Sequence, residues 1–233
     1  MKTFYRNLML GLLLPLNAFA AGGDDPLLTM VKVDQLETRN SDEGTETVLD
    51  GHLWIGYDLH KLWIKTEVEQ FEGETEAAEL QALYSRAVAP YWDLQIGVRR
   101  DIRPEPKQDW LVVGFEGLAP YFFETDIALF IGEEGRTAAR LEMEYEFMFT
   151  QRLVLSPEIE INFSGKDEPA RGIGDGLTDI EFGLRLRYEI RREFAPYIGI
   201  NWSGKFGKTA DYAKAAAEET SKTQLVAGIR FWF

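Results

Sequence analysis

The chain has 233 residues, no cysteine and a formal net charge of −14 at pH 7. This length suits one domain, the lack of cysteine excludes disulfides and thiolate metal sites, and the acidity argues against binding to nucleic acid. No apolar run reaches the ~18 residues that a membrane-spanning helix needs, which leaves a soluble fold or a β-barrel.

The N-terminus has the pattern of a secretory signal peptide. Basic residues precede a short apolar core, and Ala18–Ala20 form an A-x-A cleavage motif. We therefore predict three parts of the chain: a signal peptide at 1–20, a short periplasmic segment at 21–27 and the folded domain at 28–233.

From residue 28 onward, the sequence predicts β-strands in which apolar and charged residues alternate. A period of two places alternate side chains on opposite faces of a strand. The clearest strands are LTMVKVDQLET (28–38), LWIKTEVE (62–69), YFFETDIALFI (121–131), LEMEYEFMF (141–149), SPEIEINF (156–163), TDIEFGLRLRYEI (178–190) and TQLVAGIRFWF (223–233). A soluble β-sandwich alternates in the same way, so the period alone does not identify the fold.

The lengths of strands and loops favour a membrane barrel. Several strands are longer than the ~5–6 residues usual in soluble sheets and match a tilted membrane strand. Short connections are expected on one side and long ones on the other, as in outer-membrane barrels. The long ones are predicted near 39–46, 72–77, 102–108, 132–136, 164–176 and 207–221, and the short ones near 58–60, 88–90, 117–120, 149–151 and 192–195.

We therefore predict an all-β fold: a transmembrane antiparallel up-and-down β-barrel of twelve strands, with both termini in the periplasm. The last strand would close the barrel against the first and leave no free edge. Its apolar face, Leu225 to Phe233, would contact lipid. Aromatic residues near strand ends, including Trp63 and Tyr197, are predicted to form the interfacial girdles.

Four segments carry a resemblance to a known family: DDPLLTMVKVDQLE, GYDLHKLWIKTE, the block at 150–202, and KFGKTADYAKAAAEETSKTQLVAGIRFWF. They resemble the copper resistance protein B family of bacterial outer-membrane barrel proteins. The resemblance implies location in the bacterial outer membrane, contact with its lipid and a role in copper tolerance. It also implies copper as a bound or transported ion rather than a catalytic one, and a periplasmic copper-resistance protein as a possible partner.

The chain departs from that family at its N-terminus. Many members carry a Met- and His-rich stretch before the barrel, whereas Ala21 here leads almost directly into Asp24-Asp25-Pro26. Copper handling would then fall to the barrel itself.

The candidate copper ligands are few. Met30, His60 and Met148 are all predicted near the periplasmic rim, where thioether and imidazole ligands would suit copper. His52 is predicted near the middle of a strand, and Met143 is predicted to face lipid. Solvated histidines and ordinary apolar packing are the alternative interpretations of these residues.

Charged residues are predicted to line the lumen. The set is Glu67, Glu69, Glu142, Glu144, Glu146, Glu158, Glu160, Asp179, Glu181, Arg185 and Arg187. Opposite charges would pair and brace the wall, or the acidic excess would concentrate cations in a channel. The predicted function is copper export from the periplasm or copper sequestration there; a general cation-selective porin without copper specificity is the alternative.

Two further features of the sequence bear on function. The Ala-rich segment 209–222 predicts a short helix within the last long loop, for which a plug at the barrel mouth is one alternative. A lipid hydrolase is disfavoured, because His52 is the sole candidate base and Ser85, Ser156 and Ser203 lie on different strands. We therefore do not expect an enzyme.

Overall fold

The computed structural model describes residues 25–233, so the predicted signal peptide at 1–20 lies outside the described residues. The sequence of strand segments is β1 (Leu28–Ser41), β2 (Gly44–Gly56), β3 (His60–Phe71), β4 (Glu74–Ala89), β5 (Trp92–Arg103), β6 (Gln108–Ala119), β7 (Phe123–Gly132), β8 (Thr137–Glu144), β9 (Phe147–Met148), β10 (Leu153–Ser164), β11 (Gly176–Tyr188), β12 (Phe194–Lys205) and β13 (Ser221–Trp232). One helix, α1 (Gly207–Ala215), lies between β12 and β13.

These segments form one closed antiparallel barrel. Each strand pairs with its neighbours in the chain, and β13 pairs with β1, so the sheet has no free edge. β8 and β9 share one position in the wall, because both pair with β10 and only Tyr145 and Glu146 separate them. The barrel therefore has twelve wall positions, which confirms the predicted fold class.

The outer face of the barrel is apolar. Leu225 on β13 and Phe233 just after it are 68% and 63% exposed, while the inward-facing Gln224 and Val226 are buried. Exposed apolar residues on β5 and β7, such as Ile96, Val98 and Leu129, continue this surface around the wall. Exposing so many apolar side chains to water would be unfavourable. Contact with lipid accounts for this band of apolar residues.

Not every aromatic residue near a strand end belongs to this outer band. Trp63 and Tyr197 are 7% and 5% exposed and lie inside the barrel, so their assignment to the girdles was wrong. The alternation explains the error, because Leu62 and Ile64, the exposed neighbours of Trp63 on β3, place Trp63 on the opposite face.

Two of the predicted long loops are tight turns. β1 and β2 are joined by residues 42–43, and β3 and β4 by residues 72–73. Glu72 and Gly73 both have positive φ, as the two central residues of a type I′ hairpin turn do. The prediction was wrong because these strand ends are hydrophilic and have the composition of loops. They extend beyond the apolar band, yet they remain paired with the neighbouring strand.

The two longest connections lie at the same end of the barrel. They are residues 165–175, with a 3-10 turn at Pro169–Arg171, and residues 206–220, which contain α1. Long loops mark the extracellular end of such barrels, and the start of β1 and the end of β13 lie at the opposite, periplasmic end. The helix predicted in the last loop begins at Gly207 and ends at Ala215. No helix within residues 25–233 is long and apolar enough to cross a membrane.

Candidate functional site

The candidate functional site is the lumen, whose charged side chains are arranged in connected ion pairs. At its centre, the Arg140 guanidinium contacts four carboxylates: Glu67 at 3.3 Å, Glu79 at 3.0 Å, Glu142 at 3.6 Å and Glu160 at 3.4 Å. One guanidinium is thus shared by four acids from β3, β4, β8 and β10, of which Glu79 also contacts Arg99 at 2.7 Å. Only a small cavity of about 70 Å³ remains beside them, so the middle of the lumen is narrow.

A second group of ion pairs surrounds the buried Glu37, which is 2% exposed. Arg185 donates to both oxygens of this carboxylate, at 2.9 and 2.8 Å, and Arg39 donates at 2.6 Å. The Tyr197 hydroxyl donates to the same carboxylate at 2.9 Å. Charge-assisted bidentate pairing of this kind fixes geometry as well as adding energy, so this part of the wall between β1 and β11–β12 is braced.

The periplasmic half of the lumen contains a larger cavity of about 430 Å³. Lys65 bridges Asp126 at 2.5 Å and Glu116 at 3.2 Å on one side of it. On the other side, Arg230 contacts Glu144 at 2.8 Å and Asp34 at 3.3 Å. The walls are therefore polar and ion-paired.

The acids outnumber their partners along this pathway. Within residues 25–233, four lumen carboxylates have no lysine or arginine nitrogen within 4.0 Å: Asp50, Glu69, Glu124 and Asp179. Asp179 instead accepts hydrogen bonds from Asn162 and Thr178. An uncompensated carboxylate in a narrow, low-dielectric passage attracts cations and repels anions.

At the extracellular end, residues 165–175 fold into the lumen; we call this segment the plug. Both terminal nitrogens of Arg171 lie 3.1 Å from Asp101 Oδ2, and Arg171 also donates to Gln108. The two side chains of this ion pair are only 5% and 4% exposed. Asp101 is further held by Arg99 at 2.6 Å and by the Trp110 indole at 3.1 Å. The plug is therefore anchored to the wall by a buried ion pair.

Helix α1 covers the plug from outside. The amide of Gly174 donates to Thr209 Oγ1 at 2.9 Å, and a Cβ at position 174 would lie only 2.4 Å from Lys208 Cβ, so this approach requires glycine. Lys208 contacts Asp167 at 2.6 Å and Asp175 at 2.9 Å. The hydrogen bond from Lys208 lowers the pKa of Asp167. A cavity of about 190 Å³ lies beneath the plug and helix.

The predicted copper residues are distributed over both faces of the wall. Met30 and His52 lie on the inward face, where Met30 Sδ accepts a hydrogen bond from Trp54 at 3.2 Å and His52 Nδ1 lies 3.1 Å from Asp34. His60 is exposed on the outer face and stacks on Tyr84. Met148 is 59% exposed on β9. The structure thus brings Met30 near His52 and does not gather Met30, His60 and Met148.

The remaining predicted lumen residues all take part in the network or border it. Arg187 contacts both Glu144 and Glu146 at the periplasmic side, and Glu181 contacts Arg39. Glu158 contacts Arg185 at 2.9 Å. Within the described part of the chain, no three of the His, Asp and Glu side chains are arranged to hold a metal ion.

Sequence reasoning missed Glu37, Arg39 and Arg171, and it did not connect His52 with the indoles. The letters HLW at 52–54 already place His52 and Trp54 on one face of β2, so that contact was accessible from the alternation. The partner of Arg171 lies 70 positions earlier in the chain, and no local pattern indicates such a contact.

Comparisons with known proteins agree on family and fold. The family model described as "Copper resistance protein B precursor (CopB)" matches residues 27–233. Copper resistance protein B of Escherichia coli is 49% identical over 90% of this chain and 71% of its own length. A homolog from Pseudomonas syringae pv. tomato is 43% identical over the same shares.

Two solved structures are similar in fold. The NanC porin aligns with a TM-score of 0.57 and 12% identity, covering 88% of this chain and 99% of the porin. The KdgM porin aligns with a TM-score of 0.53 and 11% identity over the same shares. At such low identity, these likenesses show the barrel fold and nothing about what passes through it.

Proposed function

The chain belongs to the copper resistance protein B family of the bacterial outer membrane, and from that premise we propose that its barrel lets copper leave the periplasm through the lumen. The observation that carries this proposal is the set of four lumen carboxylates without a basic partner among residues 25–233, Asp50, Glu69, Glu124 and Asp179. Their field would draw cations from the periplasm into the cavity of about 430 Å³.

The proposal assigns a transport role and no catalytic step. Copper is the cargo, and the carboxylates act through their charge without forming a stable site. Because carboxylates prefer hard cations to copper(I), the field alone would favour cations in general. A general cation-selective porin is therefore the alternative that this feature also supports.

Growth on copper distinguishes copper passage from a general cation-selective porin. A strain that lacks the protein is grown on graded copper, with zinc and silver alongside, and complemented with the wild type. The test variant carries Asp50→Asn, Glu69→Gln, Glu124→Gln and Asp179→Asn. A matched control neutralises four exposed carboxylates outside the lumen, by Glu43→Gln, Glu74→Gln, Glu133→Gln and Glu219→Gln.

We expect copper-specific sensitivity of the deletion strain, restored by the wild type and by the control but not by the lumen variant. Heat-modifiable mobility on gels verifies that each variant folds into a barrel. Full rescue by the lumen variant would contradict passage driven by these carboxylates and favour sequestration or docking of a periplasmic copper protein. Sensitivity to all the metals alike, or to none, would favour the general porin.

A further inference from the structure

We propose that a soft monovalent cation, copper(I) or silver(I), binds on the inner wall of β1–β3 between Met30 and His52, against the indoles of Trp54 and Trp63. This inference rests on the proposed passage of copper and supplies what the carboxylates lack, a preference for copper over other cations. We call these four residues the soft-ligand patch.

Strand register brings the soft-ligand patch together. Met30 pairs with Trp54 across β1–β2, Lys32 pairs with His52, and Trp54 pairs with Trp63 across β2–β3. Met30 and His52 are therefore diagonal neighbours, a separation that long side chains span. Their neighbours in the chain, Val31, Leu53, Ile55 and Ile64, are exposed on the outer face, so the patch faces the lumen.

His52 is oriented for a metal. Its Nδ1 lies 3.1 Å from Asp34 Oδ2, and Asp34 is held in place by Lys32 at 2.7 Å and Arg230 at 3.3 Å. A carboxylate at one ring nitrogen of a histidine fixes the ring and raises the basicity of the other nitrogen, as it does in many metal sites. Nε2 has no hydrogen-bond partner among residues 25–233, and His52 lines the periplasmic cavity.

Met30 supplies a second soft donor. Its sulfur accepts one hydrogen bond, from Trp54 Nε1 at 3.2 Å, and keeps a further lone pair. A thioether with an imidazole favours copper(I) over zinc, magnesium or calcium, which prefer harder ligands or more of them. Silver(I), which shares the charge and softness of copper(I), serves as its probe.

The indoles add an attraction for positive charge. Lys61 Nζ lies 5.6 Å from the Trp54 ring centroid and Lys65 Nζ 5.5 Å from that of Trp63, so both rings already act as cation–π acceptors. The rings of His52 and Trp63 are 5.0 Å apart and those of Trp54 and Trp63 6.1 Å apart. A cation held by His52 would therefore lie beside an aromatic face, and its arrival would change indole fluorescence.

The experiment measures metal binding by the full chain, purified in detergent without oxygen. Copper(I) affinity is read by competition with a chromophoric chelator, and silver(I) by tryptophan fluorescence, with zinc(II) as the hard comparison. Met30→Leu and His52→Gln are the test variants. Met148→Leu and His60→Gln are matched controls, because they remove the same chemical groups from exposed positions outside the soft-ligand patch: Met148 is 59% exposed on β9, and His60 stacks on the exposed Tyr84.

We expect Met30→Leu and His52→Gln each to weaken copper(I) binding by about tenfold or more, and Asp34→Asn to weaken it by about 10–100-fold, as loss of an orienting partner does. The controls should bind like the wild type, and zinc(II) should bind weakly. Trp54→Phe, which keeps both donors, should retain most of the affinity and reduce the fluorescence change.

Equal copper(I) affinity of the wild type, Met30→Leu and His52→Gln would overturn the soft-ligand patch, as would equal losses in the controls. If one test variant fails to fold, the other and Asp34→Asn decide the result. Failure of the patch is distinguishable from failure of the proposed function, because binding is read in detergent and copper tolerance is read in the deletion strain.

Discussion

The two ends of the lumen differ in how much open space they contain. The periplasmic half has a cavity of about 430 Å³ lined by ion pairs and by His52. The extracellular half has about 190 Å³ beneath the plug, which Arg171 anchors to Asp101. An ion that enters from the periplasm therefore meets open polar space first. It then meets the two main obstacles, the narrow section at Arg140 and the plug.

The same charge chemistry has different consequences in the two halves. Beside the periplasmic cavity, ion pairs brace the wall and leave space between them. At the extracellular end, the buried pair of Arg171 with Asp101 anchors the plug inside the lumen. Removing charges should therefore affect stability in the centre and permeability at the extracellular end.

The largest expected effect comes from Arg140, which separates the two halves. Arg140→Met leaves Glu67 and its neighbours without their shared positive charge. Loss of one partner of a buried pair costs about 3–5 kcal/mol, so unfolding in denaturant should shift by about that free energy. In the exposed pair Arg100–Asp109, 61% and 59% exposed, Arg100→Met should cost less than about 1 kcal/mol. Equal losses for the two variants would remove the distinction between a braced centre and an ordinary surface pair.

The next effect concerns the plug. Arg171→Ala removes the buried pair with Asp101 and should favour a plug displaced from the lumen by more than about tenfold, which corresponds to ~1.4 kcal/mol. Single-channel recordings in planar bilayers should show larger or more frequent openings than in the wild type. Lys166→Ala is the matched control, because the exposed carbonyl of Glu134, at 3.2 Å, is the one contact of Lys166 Nζ among residues 25–233. Unchanged conductance of a folded Arg171→Ala would indicate that the barrier lies elsewhere, at Arg140.

The smallest effect is expected at α1, outside the wall. Because Lys208 lowers the pKa of Asp167, this contact stabilises the plug above the ordinary aspartate pKa of about 3.9. The stabilisation is lost as pH falls through the lowered value. The protection of residues 165–175 against hydrogen exchange, taken relative to the intrinsic exchange rate at each pH, should therefore be unchanged between about pH 7 and pH 5 and fall modestly below about pH 4. Lys208→Ala should remove this pH dependence; a variant that retains it would assign the effect to another group.

The sequence predicted the strands of the barrel wall better than the side-chain contacts inside the lumen. Alternation alone identified the strands and the outward face of β13, because lipid and lumen impose opposite chemistry on alternate residues. It failed at the hairpin tips of residues 42–43 and 72–73, since a strand that continues into water has the polarity of a loop.

The arrangement of the candidate site depended on register and on distant contacts. The grouping of Met30 with His60 was inferred from their shared distance to the periplasm, but strand alternation places them on opposite faces of the wall. Register instead sets Met30 diagonal to His52. The anchoring of Arg171 to Asp101 arises from the path of a loop, which local sequence patterns do not encode.

The most direct test of the central claim is copper movement across a membrane that contains the purified protein. Vesicles are loaded with copper(I), and its release is followed by an external chelator for the wild type, Arg171→Ala and protein-free vesicles. The account predicts release by the wild type that exceeds the protein-free rate, and faster release by Arg171→Ala. Release at the protein-free rate by both proteins, each verified as folded in the vesicles, would contradict passage of copper through this barrel.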